Sequence, residues 1–315
     1  MAVSPLPTTR AHGAEEDLPK MSFGDHLDEL RRRLVRSVGA VVVCVLVLLP
    51  FKAQVTEFYV TPYRNTWTRL FIDHCAELEA RIKADPNAHP LFHQQLAWVK
   101  ANGPGIVDGT FPDEQMHVVP LHSGFPMQPT LVALGGLDDI WTFMAASLLI
   151  GLILAAPIVL YQLWAFIAAG LYQQERRVVL RYFPFAMLLL ATGVTFGFTV
   201  VVPWGLYFLV QMMDFFGVVP MFAVSQYFSL LLTLTAALGV VFQLPLAMLA
   251  LQKVGITDGR AMRRQWRYVI LGIFVLSAVV TPSPDPFTQL MMAVPMCALY
   301  VLGLVLCWRS TKKTA

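Results

Sequence analysis

Six long apolar runs are the feature that most constrains how this chain can fold. They cover 34–51, 138–169, 182–213, 224–251, 268–280 and 287–308. An α-helix needs about 20 apolar residues to cross the ~30 Å hydrocarbon core of a bilayer, and it satisfies its own backbone hydrogen bonds there. The chain is 57% hydrophobic and 14% charged, whereas soluble domains carry about 25% charged residues. The sequence therefore predicts an all-α, polytopic membrane protein with six transmembrane helices.

The fifth run is shorter than the others. It has 13 residues, 268–280, and the proline-rich stretch T-P-S-P-D-P at 281–286 ends it. A helix of that length does not span the hydrocarbon, so we expect it to thin the bilayer locally or to be shielded by protein. The second, third and fourth runs are longer than needed and contain prolines, so they are expected to tilt or bend.

Basic residues predict the orientation. In a six-span arrangement, 17 of the 23 lysines and arginines fall on one side, within residues 1–36, at 170–181, at 252–267 and in the C-terminal tail. The two short loops on the other side contain none. Because basic residues near span ends remain cytoplasmic, we expect both termini in the cytoplasm. We expect 1–21 to be a disordered tail, 22–309 the membrane domain and 310–315 a second tail.

The polar segment 59–137 is too long for an ordinary connection, and we expect helices of its own at 73–83 and 90–102. In this topology it is an enlarged first extracytoplasmic loop. His89 and His93 are four residues apart, a spacing that could place two metal ligands on one helix face. A polar loop that is rich in histidine is the simpler interpretation, so neither a metal nor another cofactor is expected.

The leader, S-F-G-D-H-L-D-E-L-R-R-R-L at 22–34, directly precedes the first run. Ser22 and Asp25 have the spacing of a capping box. Leucines and one phenylalanine recur at helical spacing, which predicts one apolar face: Phe23, Leu27, Leu30 and Leu34. We interpret the leader as an amphipathic helix on the membrane surface that continues into the first span. The alternative is a charged leader that only orients that span.

Two carboxylates in basic surroundings are the candidate binding residues. Glu29 precedes Arg31–Arg33, and Glu175 precedes Arg176 and Arg177. Each carboxylate could simply pair with a neighbouring arginine and order a helix end. Alternatively, the two carboxylates together could bind a cationic ligand, since guanidinium groups bind carboxylates in a bidentate manner.

Catalytic motifs are absent from the sequence, which has no G-x-x-x-x-G-K-[ST], H-E-x-x-H or G-x-S-x-G. The chain is therefore not expected to be an enzyme. A small-solute transporter would be expected to show an internal repeat and a charged group at mid-span. Neither feature is evident here.

Four segments resemble the TatC family, the six-span receptor subunit of twin-arginine protein translocases. They are H-L-D-E-L-R-R-R-L at 26–34, A-A-P-I-V-L-Y-Q-L-W-A-F-I-A-A-G-L-Y-Q-Q-E-R-R at 155–177, F-Q-L-P at 242–245 and T-P-S-P-D-P-F-T-Q-L-M-M-A-V-P at 281–295. The resemblance implies a concave, glove-like bundle with a short fifth span. It also implies a location in the bacterial cytoplasmic (inner) membrane.

The same resemblance implies a function. Family members bind twin-arginine signal peptides of folded cargo, and the matching site residues here are Glu29, Arg31, Phe166 and Glu175. The expected partners are single-span proteins of the TatA and TatB types and further copies of this chain, but not nucleic acid. Export is expected to use the proton motive force.

Four further positions match family residues with structural or partner roles: Pro62, Gln243, Asp285 and Gln289. At Gln243 the family commonly has glutamate, so an amide replaces a titratable group. The 59–137 loop is also longer than the family's usual one. Three span amides, Gln211, Gln226 and Gln243, suggest a face for single-span partner helices.

Overall fold

The computed structural model describes residues 23–87, 89–169, 182–215, 221–253, 257, 259–281 and 285–312. Within these ranges the chain is helical, and the only β-pairing is an isolated parallel bridge between Val132 and Ala223. The prediction of an all-α fold is confirmed. The α-helices are α1 (Phe23–Leu48), α2 (Lys52–Ala84), α3 (Pro90–Val107), α4 (Val119–Ser123), α5 (Asp138–Ala169), α6 (Phe183–Phe196), α7 (Val202–Phe215), α8 (Val224–Val241), α9 (Leu244–Lys253), α10 (Gly259–Arg264), α11 (Trp266–Val280) and α12 (Pro286–Lys312).

Over the described residues, five helical segments are long and apolar enough to cross a membrane. They are Leu27–Ala84, Asp138–Phe166, Phe183–Met213, Val224–Lys253 and Pro286–Arg309. The remaining predicted span is α11, with 15 residues, or about 22 Å at 1.5 Å per residue. The fifth span is therefore short, as predicted. The count of six crossings stays a prediction.

Contacts between helix ends define two ends of the bundle. At one end, the start of α1 meets the end of α5 through a hydrogen bond from Arg33 to Gln162. We call this the basic end, because Arg31–Arg33, Lys253, Arg264 and Arg267 lie at helix ends there. At the other end, the start of α2 meets the start of α5 through an exposed ion pair of 2.8 Å between Lys52 and Asp139. We call this the cap end.

The chain stays helical beyond the first apolar run. A single 3₁₀ turn, Leu49–Phe51, joins α1 to the 33-residue α2. The turn contains Pro50, which has no backbone N–H and therefore interrupts the α-helical hydrogen bonds. The predicted helix at 73–83 is the last part of α2, and the one at 90–102 is most of α3.

The enlarged loop forms an ordered cap rather than an open connection. α3 packs against α2, and aromatic side chains of α2 are buried beneath the returning chain. The Trp67 indole donates to the Met127 carbonyl at 3.0 Å, and the Tyr63 hydroxyl donates to the Gln128 carbonyl at 2.7 Å. The Tyr227 hydroxyl of α8 donates to the Tyr59 carbonyl at 2.7 Å. The first two bonds hold the returning chain against α2, and the third joins the cap to α8.

α6 and α7 form one long helical segment with a π-helical turn at Gly197–Val201 between them. Pro203 lies two residues after the end of this turn and removes one backbone donor, a known cause of such bulges and kinks. Small residues let the segment approach α8 closely. A Cβ built on Gly193 would lie 2.8 Å from the Leu238 carbonyl oxygen, and one on Gly197 would lie 3.0 Å from the Thr235 Cα.

We predict that Gly193→Ala destabilises the protein. The added methyl meets backbone and the Phe242 ring, so α6 and α8 must separate, and overpacking of this kind costs about 1–3 kcal/mol. Gly39→Ala in α1 is the matched control, because nothing lies within 4 Å of its Cβ. Thermal unfolding of purified protein in detergent should give a lower midpoint for Gly193→Ala only. Equal midpoints for both variants would contradict the close crossing.

Candidate functional site

Glu29 lies in a three-residue polar cluster at the basic end. The Arg33 Nε donates to Glu29 Oε1 at 2.7 Å, and Arg33 Nη2 forms an ion pair with the same oxygen. Arg33 Nη1 also donates to Gln162 Oε1 on α5, at 3.3 Å. The Arg33 and Glu29 side chains are only 13% and 23% exposed. A charged residue of the leader is therefore held between two helices.

The Glu29–Arg33 pair agrees with the first of the two interpretations given above, in which each carboxylate pairs with a neighbouring arginine. The contact between Arg33 and Gln162, a polar residue of the second apolar run, was not predicted. Glu29 and Arg33 are four residues apart, which places them on one side of α1. The contact to Gln162 depends on how α1 and α5 pack, and no local spacing encodes that packing.

In the leader helix, apolar side chains point away from the protein and charged side chains point toward it, the reverse of an amphipathic helix in a soluble protein. Leu27, Leu30 and Leu34 are all exposed, while Glu29 and Arg33 face α5. None of the residues in the most apolar 18-residue stretch of the first span is buried within the chain. This arrangement is typical of a helix whose apolar side contacts lipid. The predicted leader helix is confirmed, but the side chains of Ser22 and Asp25 lie outside the described residues.

Arg31 does not join the Glu29 cluster. It is two residues from Glu29, so it projects to another side of α1, where it is exposed. There it lines a shallow groove of about 430 Å³ together with Asp28, Arg32, Val35 and Arg36. The basic end thus presents an acidic residue on one side of α1 and several guanidinium groups on another.

Phe166 lies one helical turn beyond Gln162, on the same side of α5, and is half-buried. The nearby Leu160 and Trp164 are buried against Ala186 of α6 and Leu246 of α9. This cluster fixes the end of α5, so Gln162 and Phe166 occupy a well-packed part of the helix. Glu175, the second predicted carboxylate, lies outside the described residues.

Pro62 is buried within α2, at the cap side of the bundle. Its carbonyl accepts a hydrogen bond from the Thr66 hydroxyl at 2.8 Å. Together with Arg69, Pro203 and Tyr207, it lines a cavity of about 280 Å³ between α2 and the α6–α7 segment. The structure therefore gives Pro62 a packing role far from Glu29.

Gln243 points into the bundle, so it does not belong to the outward face for partner helices that the sequence suggested. It lies in the break between α8 and α9, before Pro245, and its Nε2 donates to the Ala186 carbonyl of α6 at 2.9 Å. Its Oε1 is buried without a hydrogen-bond partner. By contrast, Gln226 lines an apolar groove of about 380 Å³ with Leu206 and Met213. The three amides Gln211, Gln226 and Gln243 therefore do not form one outward face.

Asp285 and Gln289 organise the junction between α11 and α12. Asp285 precedes Pro286, the first residue of α12, and its Oδ1 accepts a 2.7 Å hydrogen bond from the Thr288 N–H. Its other oxygen accepts from the Thr288 hydroxyl. Gln289 Nε2 donates to the Phe274 carbonyl of α11 at 3.0 Å. Asp285 is thus an N-cap residue, and Gln289 ties the short span to its neighbour.

The histidines of the cap have structural contacts. His89 is the N-cap of α3, and its Nδ1 accepts from the Leu91 N–H at 3.3 Å. His74 contacts the Ser123 carbonyl at 3.2 Å and packs beside Phe125. In the part of the chain that the structure describes, no group of three or more histidine, cysteine or acidic residues is placed to hold a metal.

The long apolar helices define a multi-pass membrane protein, which carries a polar cluster at one end of its bundle. Comparisons with known proteins identify its class as a protein translocase component. The family described as "Sec-independent protein translocase protein (TatC)" matches residues 25–295. The chain belongs to the TatC family.

Individual relatives agree with this assignment. The Sec-independent protein translocase protein TatC of Deinococcus radiodurans is 31% identical over 293 residues, covering 93% of this chain and 88% of the relative. The Escherichia coli K12 protein of the same name is 35% identical over 195 residues, 61% of this chain and 75% of the relative. A solved structure titled "Crystal Structure of Twin Arginine Translocase Receptor- TatC" superposes with a TM-score of 0.62 at 25% identity, covering 91% of this chain and 99% of the other.

We predict that Asp285→Ala loosens the start of α12, whereas Asp285→Asn leaves it intact. Asparagine can still accept from the Thr288 N–H, but alanine cannot, and loss of an N-cap costs about 1 kcal/mol. Thermal unfolding in detergent should rank wild type and Asp285→Asn together above Asp285→Ala. If Asp285→Asn fell as far as the alanine variant, the carboxylate charge rather than the cap would be what matters.

Proposed function

We propose that this chain is a non-enzymatic receptor that binds twin-arginine signal peptides of folded cargo. The observation that carries the proposal is the half-buried Glu29 carboxylate at the basic end, already in contact with a guanidinium group. A carboxylate that binds one arginine side chain in this setting can bind another of the same shape. Membership of the TatC family, and the similarity to a solved twin arginine translocase receptor, support this choice of ligand.

The proposed site combines residues from two helices and the segment that follows α5. Glu29 supplies one carboxylate and Glu175 the second, so each arginine of the motif has an acidic partner. Phe166, one turn beyond Gln162, offers an aromatic surface for the apolar part of the peptide. Arg31 lies on another side of α1, so its role is to contact other parts of the peptide or a partner rather than the arginines.

The orientation and setting belong to the same proposal. The positive-inside rule places both termini, and with them the basic end, in the bacterial cytoplasm. Signal peptides would then arrive at this end, and the cap would face away from the cytoplasm. We propose that TatA- and TatB-type single-span proteins and further copies of this chain complete the translocase. Transport by this assembly uses the proton motive force.

A groove on the outside of the bundle suits one single-span partner. Leu206, Met213 and Gln226 line the 380 Å³ apolar groove between α7 and α8. A polar side chain in an apolar helix–helix contact gives a partner helix both packing and a hydrogen bond. Gln243 is an unsuitable contact, because its amide is engaged inside the bundle.

We predict that Glu29→Gln and Glu175→Gln each weaken binding of a twin-arginine peptide by about tenfold or more. Loss of one charge from a desolvated pair typically costs about 2–5 kcal/mol. Photo-crosslinking of a labelled signal peptide to membranes containing each variant measures the effect. Asp28→Asn is the matched control, because it removes an exposed carboxylate from the same turn of α1. Wild-type crosslinking by both glutamine variants would refute the proposed site.

A further inference from the structure

The Glu29 carboxylate is already occupied by a group of this chain. Arg33 contacts Glu29 Oε1 through two nitrogens, and a third nitrogen donates to Gln162 Oε1 across the helix interface. Arg33 is the more deeply buried of the pair, with 13% of its side chain exposed. Its two neighbours Arg31 and Arg32 are both exposed. The position of Arg33 on α1, and not its charge alone, therefore brings it into contact with Glu29.

The group that occupies the site is chemically the same as the proposed ligand. A signal-peptide arginine and Arg33 both present a planar guanidinium that carboxylates bind through two parallel hydrogen bonds. Arg33 directs both Nε and Nη2 at the same oxygen, Glu29 Oε1. Because the pair is largely buried, a second cation has little room to approach the carboxylate. Peptide and Arg33 would thus compete for one acceptor.

We propose that Arg33 is an internal competitor that holds the Glu29 carboxylate until a ligand arginine displaces it. This inference rests on the proposed function of the same site. Release of Arg33 breaks its contacts to Glu29 and Gln162, and the peptide arginine replaces the first of them. The apparent affinity for peptide is then reduced by the fraction of molecules in which Arg33 has moved away.

The competition does not itself distinguish arginine from lysine. An arginine in the peptide presents a planar fork of donors to the carboxylate, whereas a lysine offers only a point charge, so a lysine peptide is the weaker ligand with or without Arg33. The fraction of molecules in which Arg33 has moved away lowers the apparent affinity of both peptides by the same factor. Removal of Arg33 should therefore strengthen both peptides equally and leave the preference for arginine unchanged.

The test measures peptide affinity for the full-length protein reconstituted in nanodiscs. A fluorescent signal peptide with an Arg-Arg motif, and its Lys-Lys counterpart, are titrated against wild type, Arg33→Gln, Arg33→Lys, Arg32→Gln and Glu29→Gln. Arg32→Gln is the matched control, since it removes the same charge from the adjacent exposed position and so cancels the general electrostatic effect. Fluorescence anisotropy gives each dissociation constant.

We predict that Arg33→Gln binds the Arg-Arg peptide about 3- to 10-fold more tightly than Arg32→Gln does, as expected if Arg33 leaves the carboxylate in roughly 10–30% of molecules. The Lys-Lys peptide, although the weaker ligand, should gain by the same factor. Arg33→Lys, which keeps the charge but loses the fork of donors, should fall between wild type and Arg33→Gln. If Arg33→Gln is not monodisperse, the Arg33→Lys variant decides the question by itself.

Affinity of Arg33→Gln equal to or below that of Arg32→Gln would overturn the inference, because Arg33 would then position Glu29 instead of competing for it. The same holds for Arg33→Lys if it binds no more tightly than wild type. Failure of the proposed function looks different. In that case the Glu29→Gln variant binds peptide as wild type does, and no Arg33 variant changes the affinity.

Discussion

Close approach of helix backbones is the constraint on which the bundle depends. Lipid chains are as apolar as leucine, so apolar burial alone gives membrane helices little reason to associate, and tight packing must supply the attraction. The glycines of the α6–α7 segment provide this at its crossing with α8, where Gly193 and Gly197 lie directly against backbone. Gly151 has the same role between α5 and α1, since a Cβ there would lie 2.7 Å from Val45. The crossing at Gly151 positions α5 against α1, and so brings Gln162 and Arg33 together at the basic end.

The sequence predicted the helical class, the short fifth span and the leader helix because each follows from periodicity or run length within one segment. The link from Arg33 to Gln162 joins residues 129 positions apart, and it exists only because α1 and α5 are antiparallel neighbours. No pattern within either helix contains that information. The inward direction of Gln243 has the same origin, since its partner, the Ala186 carbonyl, belongs to a different helix.

The long loop illustrates a different limit. Its composition predicted polar surface with some helix, yet the structure contains a buried aromatic cluster that includes Trp67, Phe71 and Phe125. These residues are spread among charged ones, so average hydropathy conceals them. Their burial follows from the continuous α2, which carries a mostly apolar side far beyond the first span and provides the surface on which the returning chain folds.

The first helix packs chiefly against α5, and its remaining sides carry exposed leucines and valines. Much of what surrounds α1 is consequently not protein. In a bilayer, acyl chains cover the rest of α1, and a helix whose apolar length does not match the hydrocarbon thickness tilts against its neighbours. The spacing between the carboxylate on α1 and the amide on α5 therefore depends on the bilayer as well as on the chain. Two membranes of different thickness would hold these two polar groups at different distances.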